Sequence, residues 1–208
     1  MQSSFCIAIA SHISNINRIP YLQDCLRSLI SQSAPISIYL SISFATNEIR
    51  EETLNQIHKD TMQSEHLNIR IREQKTAQMR HYFLLYQEMN QTHKWVMFCD
   101  DDDTYHPERT QQFMQTIISS QTHIDLVNEG RDTTLPKLEF AGLYENISQP
   151  THHTKRHEYW CYCIRMDLLK RFFEMVEPTT GILDNRCCDV LFGEYLRRKS
   201  PEWIYATI

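Results

Sequence analysis

The chain has 208 residues, a formal net charge of -5 and an apolar fraction of 41%, which is typical of a globular domain with a buried core. The acidic balance gives no basic field for nucleic acid, and four glycines exclude a glycine-rich phosphate loop. No apolar run approaches the ~20 residues of a membrane-spanning helix. The N-terminus has no basic start of a signal peptide, so we expect a cytoplasmic protein whose seven cysteines are reduced.

Strand and helix patterns alternate through residues 1–120. The predicted strands are Phe5 to Ser11, Ile36 to Ser43, Ile69 to Ile71 and Trp95 to Cys99. The predicted helices start at Pro20 and Pro107 and span Ile49 to Met62 and Thr76 to Asn90. In the helix from Thr76, the apolar stripe is placed on Met79, Phe83, Leu84 and Tyr86. This alternation predicts an α/β fold with a parallel sheet and helical crossovers.

The remaining residues carry a different pattern, with shorter strands. Strands are predicted at Asp125 to Gly130, Leu138 to Tyr144, Tyr159 to Arg165 and Trp203 to Ile208. Helices are predicted at Asp167 to Met175 and Asp189 to Lys199. The sequence leaves open whether the chain is complete or the N-terminal domain of a longer protein.

Four consecutive aspartates, Asp100 to Asp103, directly follow the apolar strand that ends at Cys99. Like charges at close range raise one another's pKa, so a fold that keeps such a cluster at a strand end is expected to bind a cation there. A divalent metal that prefers hard oxygen ligands is the favoured occupant. The alternative is a solvated acidic turn that caps the helix starting at Pro107.

The segment from Trp95 to Pro107 resembles the metal-binding segment of GT-A glycosyltransferases, especially the large family-2 group. In that family an apolar strand ends in Asp-x-Asp-Asp, and a proline opens the next helix. The first strand and helix, Ile7 to Leu26, also resemble the family's opening. Lys75 to His81 is similar to the place where an arginine leads a helix, and Asp184 to Arg197 is similar to the acceptor-side acidic motif.

This resemblance implies a GT-A, Rossmann-like fold, with a mostly parallel sheet flanked by helices and a smaller acceptor-side part. It implies one catalytic domain over 1–208, with a nucleotide-binding half in 1–120 and an acceptor-side half in 121–208. The implied activity is metal-dependent transfer of a hexosyl or deoxyhexosyl group from a nucleotide-diphosphate sugar to a hydroxyl of a glycan, lipid or protein. Mn²⁺ or Mg²⁺ is the implied metal, and UDP is favoured over GDP and dTDP.

The resemblance also assigns roles within the acidic cluster. Asp102 is expected to be the direct metal ligand, and Asp100 is expected to reach metal-bound water or the ribose. Asp101 and Asp103 are the second choices in the same cluster. A bound divalent ion would neutralise the charge that grows on a diphosphate leaving group.

Other candidate residues flank this cluster along the chain. Ser11 and His12 follow the first strand, at the crevice edge where a nucleoside would rest. Lys75 and Arg80 are candidates for the diphosphate, although exposed charges at a helix start are an equally good interpretation.

Asp189 is the preferred general base because it precedes an apolar helical segment, as in the family motif, and Asp184 is the second choice. With such a base, transfer is expected to invert the anomeric centre in one displacement. The other interpretation of Asp189 is a helix cap. His152, His153 and His157 lie on a polar stretch that is expected to be either an acceptor-side loop or the source of a late metal ligand.

One departure from the family pattern concerns the nucleotide base. The family's second strand usually ends in an aspartate that helps to hold the base. Here the strand ends Ser41, Ile42, Ser43, Phe44, and the next acid is Glu48. The resemblance therefore leaves the identity of the base open.

Two further functions fit parts of the same pattern. Asp100, Asp102 and Thr104 are similar to the motif of haloacid-dehalogenase-like phosphatases, in which Asp100 would be the nucleophile and Asp102 the acid. That motif normally lies on the first strand, whereas several elements precede it here. A GT-A domain that binds nucleotide sugars without catalysis is the second alternative. An EF-hand is excluded, because Tyr105 and Gln111 occupy the positions of its glycine and glutamate.

Overall fold

The computed structural model of the protein describes residues 4–61, 64–145, 158–198 and 202–208. The described strands are β1 (Phe5–Ile13), β2 (Ser37–Phe44), β3 (Leu67–Ile71), β4 (Trp95–Asp100), β5 (Glu139–Tyr144), β6 (Tyr162–Arg165) and β7 (Trp203–Thr207). The described α-helices are α1 (Ile19–Ile30), α2 (Asn47–Thr61), α3 (Gln78–Met89), α4 (Arg109–Glu129), α5 (Met166–Val176) and α6 (Cys188–Arg197). Met62, His152, His153, His157 and Lys199 lie outside the described residues.

The strands form one sheet in the order β3-β2-β1-β4-β6-β5-β7. Strand β1 pairs in parallel with β2 and β4, and β2 pairs in parallel with β3. Strand β6 runs antiparallel to β4 and β5, while β5 and β7 are parallel. The predicted α/β fold with a mostly parallel sheet is therefore confirmed. In register, Ala10 pairs with Asp100 and His12 with Ser43, so the carboxyl ends of three strands meet at one edge.

The core has two layers, one on each face of the sheet. Strand β1 serves both layers, since Ile7 and Ile9 face one and Cys6 and Ala8 face the other. Such a strand must be apolar on both sides, which explains its uninterrupted apolar run. Helices α3, α5 and α6 cover one face, and α1, α4 and part of α2 cover the other. Within the described ranges, no helix is both long enough and apolar enough to cross a bilayer.

The strand predicted at Asp125 to Gly130 is wrong, because these residues belong to the last turns of α4. Phe113, Ile117 and Ile124 are buried and follow one another at spacings of four and seven, so they form a single helical stripe. Leu126 is exposed, so its apolar character reflects neither a strand nor the core.

The inward stripe of α3 is also rotated from the prediction. Met79 and Tyr86 are buried as expected, but Phe83 and Leu84 are only partly buried. Tyr82 and Leu85 are fully buried in their place. The buried face of α3 is therefore shifted by about one residue from the predicted stripe, and it includes Tyr82.

Gly142 in β5 has a φ of +140°, and a Cβ added there would lie 2.0 Å from the carbonyl oxygen of Cys163. It sits at a shift in register between β5 and β7. We expect Gly142→Ala to lower the free energy of unfolding by about 3 kcal/mol, because the backbone must move within the sheet. Urea unfolding measures this loss. As a control, Gly130→Ala should change stability by less than about 1 kcal/mol, since no atom outside its immediate neighbours lies closer than 4.0 Å to the added Cβ. Equal stabilities of the two variants would contradict this account of β5.

Candidate active site

Asp100 ends β4 and is held by two side chains from other elements. Its Oδ1 accepts a hydrogen bond from Gln78 Nε2 at 3.0 Å and another from the hydroxyl of Tyr159. Gln78 Nε2 also donates to the Tyr159 hydroxyl oxygen at 2.8 Å. Burial raises the pKa of Asp100 to about 6, and the neighbouring carboxylates add to this although the Tyr159 hydrogen bond opposes it. Asp100 is thus a fixed carboxylate whose ionised form would be favoured by a nearby cation.

Asp101 is buried and has a partner on each oxygen. Ser11 Oγ donates to its Oδ2 at 2.6 Å, and Arg18 Nη2 donates to its Oδ1 at 2.6 Å. The same Arg18 nitrogen lies 3.5 Å from Asp102 Oδ2. Attraction to Asp101 raises the pKa of Arg18. Arg18 therefore offsets part of the charge of the cluster, and the position of Asp101 is fixed by protein contacts.

Asp102 is the member of the cluster that is open to solvent and weakly engaged. Its side chain is 51% exposed, and its ion pair with Arg18 is long. At Asp103, burial raises the pKa, and the charge of Asp102 acts in the same direction. Of the two residues expected at the metal, Asp102 thus faces outward and Asp100 is held at the strand end.

The cluster can be tested for its fit to a divalent ion. Across the residues that the structure describes, no group of three or more His, Cys, Asp or Glu side chains is placed to hold a metal. Mg²⁺ usually keeps several waters and binds one or two carboxylates together with the phosphates of a substrate. Asp102 and Asp100 match this ligand set, so the residues fit an ion whose coordination is completed by phosphate and water.

A second polar group lies at the same edge of the sheet, on the β2 side. His12 Nδ1 is 2.9 Å from Ser43 Oγ, which is 3.2 Å from His81 Nε2. On the other side of its ring, His81 Nδ1 is 2.8 Å from Ser41 Oγ. Arg72 Nε donates a hydrogen bond to Ser41 Oγ at 2.8 Å. A continuous hydrogen-bonded chain therefore links Arg72 to His12.

Both histidines of this chain favour the neutral form. Burial lowers the pKa of His81 to about 4, and the charges of Arg72 and His12 act in the same direction. Burial also lowers the pKa of His12, followed by the charge of Lys75, while Asp101 opposes the shift. The charge of Lys75 thus reaches the cleft, although its side chain is exposed.

We expect the free energy of unfolding contributed by His81 to be lost as the pH falls from about 6.5 to 4. The folded-state pKa is lowered, so in this window the unfolded chain binds the extra proton, and acid favours unfolding. The full loss is about 3 kcal/mol. Urea unfolding of the wild type and His81→Gln at several pH values isolates this contribution, because the other titrating groups are common to both. If the stability difference between the two proteins is the same at every pH, the buried neutral His81 is contradicted.

Between the two polar groups lies a cleft of about 200 Å³. Its lining residues are Ala10, Ser11, His12, Arg18, Thr76, Gln78, His81 and Asp101. Larger cavities of about 380 and 410 Å³ lie beside α4 and β7 and beside the amino end of β4, and neither contains a residue of the acidic cluster. The cleft is therefore the cavity that brings Ser11, His12 and Asp101 together.

The structure places Arg80 of α3 beside Asp184, and the two side chains form an ion pair. Arg80 Nε and Nη2 donate to the two carboxylate oxygens of Asp184 at 3.1 and 2.8 Å. These hydrogen bonds from Arg80 lower the pKa of Asp184. A lowered pKa makes Asp184 a weaker base.

Asp189 lies in the first turn of α6 and is partly buried. Its Oδ1 is buried and accepts no hydrogen bond from the described part of the chain. One turn later, Phe192 packs against Phe98 and Tyr159, with ring centroids 5.5 and 6.2 Å apart. Because Tyr159 bonds to Asp100, these rings connect the start of α6 to the acidic cluster. A buried carboxylate oxygen without a partner has the capacity to accept a proton donor from a ligand.

A sequence profile of Glycosyl transferase family 2 matches residues 12–172. The chain belongs to glycosyl transferase family 2. The match spans well over half of the chain and contains the acidic cluster. Among curated proteins, none is significantly similar in sequence to this one.

Solved structures support the fold of this family-2 chain. TarS of S. aureus, residues 1–349 in complex with UDP, has a TM-score of 0.50 and 15% identity over 100% of this chain and 61% of TarS. A 4-diphosphocytidyl-2C-methyl-D-erythritol synthase from Anaerococcus prevotii has a TM-score of 0.55 and 10% identity over 99% of this chain and 90% of the synthase. The chain thus spans less than two thirds of that TarS structure. At these identities the likeness concerns the fold alone, and the GT-A fold prediction is confirmed.

Several residues of the candidate site were not singled out by their sequence. Arg18 lies within the segment that resembles the family but had no assigned role, and Gln78 and His81 had none either. Gln78 and His81 are three apart, so they share a helix face, and that spacing is a usable signal. Tyr159 arrives from the short 3-10 helix Tyr159–Cys161 ahead of β6, and no local pattern relates it to Asp100.

Proposed function

We propose that this protein transfers a sugar from a nucleotide-diphosphate sugar, with UDP as the favoured carrier, to an acceptor hydroxyl in the presence of Mn²⁺ or Mg²⁺. The observation that carries the proposal is the acidic cluster at the carboxyl end of β4, beside a cleft at the shared edge of β1, β2 and β4. Such an edge is where open α/β sheets bind their ligands. The crystal structure of TarS in complex with UDP makes UDP the first nucleotide to test.

The proposed donor site divides its tasks among named residues. Asp102 and Asp100 would hold the ion, which when bound neutralises charge on the diphosphate leaving group. Tyr159 and Gln78 orient Asp100, so that its second oxygen is held in one position. The positive charge of Arg18 offsets part of the remaining negative charge of the cluster, because Arg18 forms an ion pair with Asp101.

Asp189 is the proposed general base, which takes the proton of the acceptor hydroxyl while the donor bond breaks. A single displacement of this kind inverts the anomeric centre. Among the described residues, Oδ1 of Asp189 has no hydrogen-bond partner, which supports this role. Asp184 is the weaker candidate, since its oxygens are engaged by Arg80.

The proposal extends to the two parts of the chain. Residues 1–120 would bind the nucleotide, and residues 121–208 would contribute the acceptor side, for a glycan, lipid or protein acceptor. The transferred group would be a hexosyl or deoxyhexosyl unit.

The direct test is to incubate the protein with UDP-, GDP- and dTDP-sugars and Mn²⁺ and to measure nucleotide diphosphate release. We expect release of UDP from at least one UDP-sugar, with water taking the sugar in place of an acceptor hydroxyl, and loss of this release on chelation of the metal. Phosphate release from nitrophenyl phosphate without any nucleotide would instead indicate the phosphatase alternative. Binding of UDP-sugars with no release and no transfer would indicate a binding module.

A further inference from the structure

The hydrogen-bonded chain from Arg72 to His12 has a direction that its first member fixes. A guanidinium nitrogen can only donate, so Ser41 Oγ must accept from Arg72 Nε. Ser41 is fully buried, and in the described part of the chain its hydroxyl hydrogen has one acceptor, His81 Nδ1. Ser41 therefore donates to Nδ1, and neutral His81 carries its proton on Nε2.

The opposite direction is costly. If His81 Nδ1 carried the proton, Ser41 Oγ would accept two hydrogen bonds and its own hydroxyl hydrogen would be buried without an acceptor among the described residues. A buried donor left unsatisfied costs about 1–3 kcal/mol, which corresponds to a preference of roughly fivefold to a hundredfold for the other tautomer.

The same donor-to-acceptor direction continues through the hydroxyl of Ser43. Its Oγ accepts from His81 Nε2 at 3.2 Å and from the backbone N–H of Thr76 at 3.4 Å. Its hydroxyl hydrogen is then left for His12 Nδ1 at 2.9 Å. With Nδ1 accepting, neutral His12 carries its hydrogen on Nε2, and His12 lines the cleft.

We propose that this relay makes His12 a fixed hydrogen-bond donor that recognises the nucleotide through a carbonyl oxygen of a pyrimidine base. The inference rests on the proposed function, because that function places a nucleotide in the cleft. Ser41 to Phe44, at the end of β2, include no carboxylate that would accept an N–H of the base. His12 is a ring N–H donor that lines the cleft at this place, and His81 acts as a positioning residue through Ser43.

The base, rather than the diphosphate, is the partner that the layout favours for His12. The acidic cluster and its ion-binding carboxylates follow β4, on one side of β1. His12 pairs with Ser43 of β2, on the other side of β1. A nucleotide whose phosphates lie at the acidic cluster and which extends along this edge brings its base to His12.

Calorimetric titration of UDP and of inorganic pyrophosphate, each with Mn²⁺, tests the role of His12. His12→Phe should lower the affinity for UDP about tenfold, which is the loss expected for one hydrogen bond. His12→Gln retains a donor and should stay within about threefold of the wild type, as should the control His58→Phe, at an exposed position of α2. Pyrophosphate affinity should be the same in all four proteins.

The outcomes separate this inference from the proposed function. Unchanged UDP affinity in His12→Phe, or an equal loss for pyrophosphate, overturns the base contact and leaves the transferase proposal intact. If UDP with Mn²⁺ does not bind the wild type, the proposed function itself fails.

Nitrogen-15 NMR of the histidine rings tests the relay without any nucleotide. In the wild type we expect His81 and His12 both to show the neutral Nε2–H tautomer. Ser41→Ala removes the donor that fixes the direction and should shift His81 toward a mixture of tautomers. A wild-type His12 with its hydrogen on Nδ1 overturns the relay.

Discussion

Asp102→Asn is expected to lower kcat/KM for sugar transfer by about a thousandfold, because it removes the proposed direct ligand of the ion that neutralises the leaving diphosphate. The fold should be unaffected, since the Asp102 side chain is 51% exposed and its ion pair with Arg18 is 3.5 Å long. An amide in place of a carboxylate keeps the size of the side chain and removes its charge. The substitution therefore tests ligation with little disturbance of packing.

The measurement is steady-state transfer with a UDP-sugar over a range of Mn²⁺ concentrations, together with the thermal midpoint of each protein. Asp125→Asn is the matched control, because it makes the same chemical change at an exposed position of α4. We expect the control to keep full activity. If Asp102→Asn retained activity within about threefold of the wild type, Asp102 would not be the ligand.

Asp189→Asn is expected to lower kcat by about a hundredfold to ten-thousandfold, the range for loss of a general base. The affinity for UDP should be unchanged, since this residue is proposed to act on the acceptor. Asp184→Asn should have a much smaller effect on kcat, because its carboxylate is paired with Arg80 and its pKa is lowered. Single-turnover kinetics with a saturating UDP-sugar measure the chemical step for both variants.

A full transferase rate in Asp189→Asn would remove Asp189 as the base. A larger loss in Asp184→Asn than in Asp189→Asn would transfer the role to Asp184. Either result would leave the donor site as described, because both residues lie at α6 and its preceding loop, apart from the cleft-lining residues.

The sequence predicted the parts of the fold that depend on local pattern. Strands that are buried on both faces, such as β1 and β4, consist mostly of apolar residues. Their uninterrupted apolar runs made these strands predictable from the sequence. The end of α4 was mistaken for a strand, because only the stripe of Phe113, Ile117 and Ile124 reveals the helix and the neighbouring Leu126 is apolar but exposed. The apolar character of a single residue such as Leu126 does not show whether it meets a partner.

In the candidate site, too, some features could be predicted from local sequence and others depend on the tertiary structure. The acidic cluster was predictable because its members are contiguous. Ser11 and His12 were predicted to follow the first strand, but β1 extends to Ile13, so both lie within its carboxyl end. The partners of those residues come from distant elements. Tyr159 reaches Asp100 from the turn before the antiparallel strand β6, and His81 reaches Ser43 across the packing of α3 on β2. Such contacts depend on the order of strands in the sheet, which no single segment encodes.

The coupling between metal and nucleotide tests the central claim most directly, and calorimetric titration of UDP with and without Mn²⁺ measures it. Because the proposed site supplies two carboxylates and the diphosphate would complete the coordination, Mn²⁺ alone should bind weakly and should raise UDP affinity at least about tenfold. UDP affinity that is indifferent to Mn²⁺ would contradict a metal-bridged diphosphate at Asp100 and Asp102.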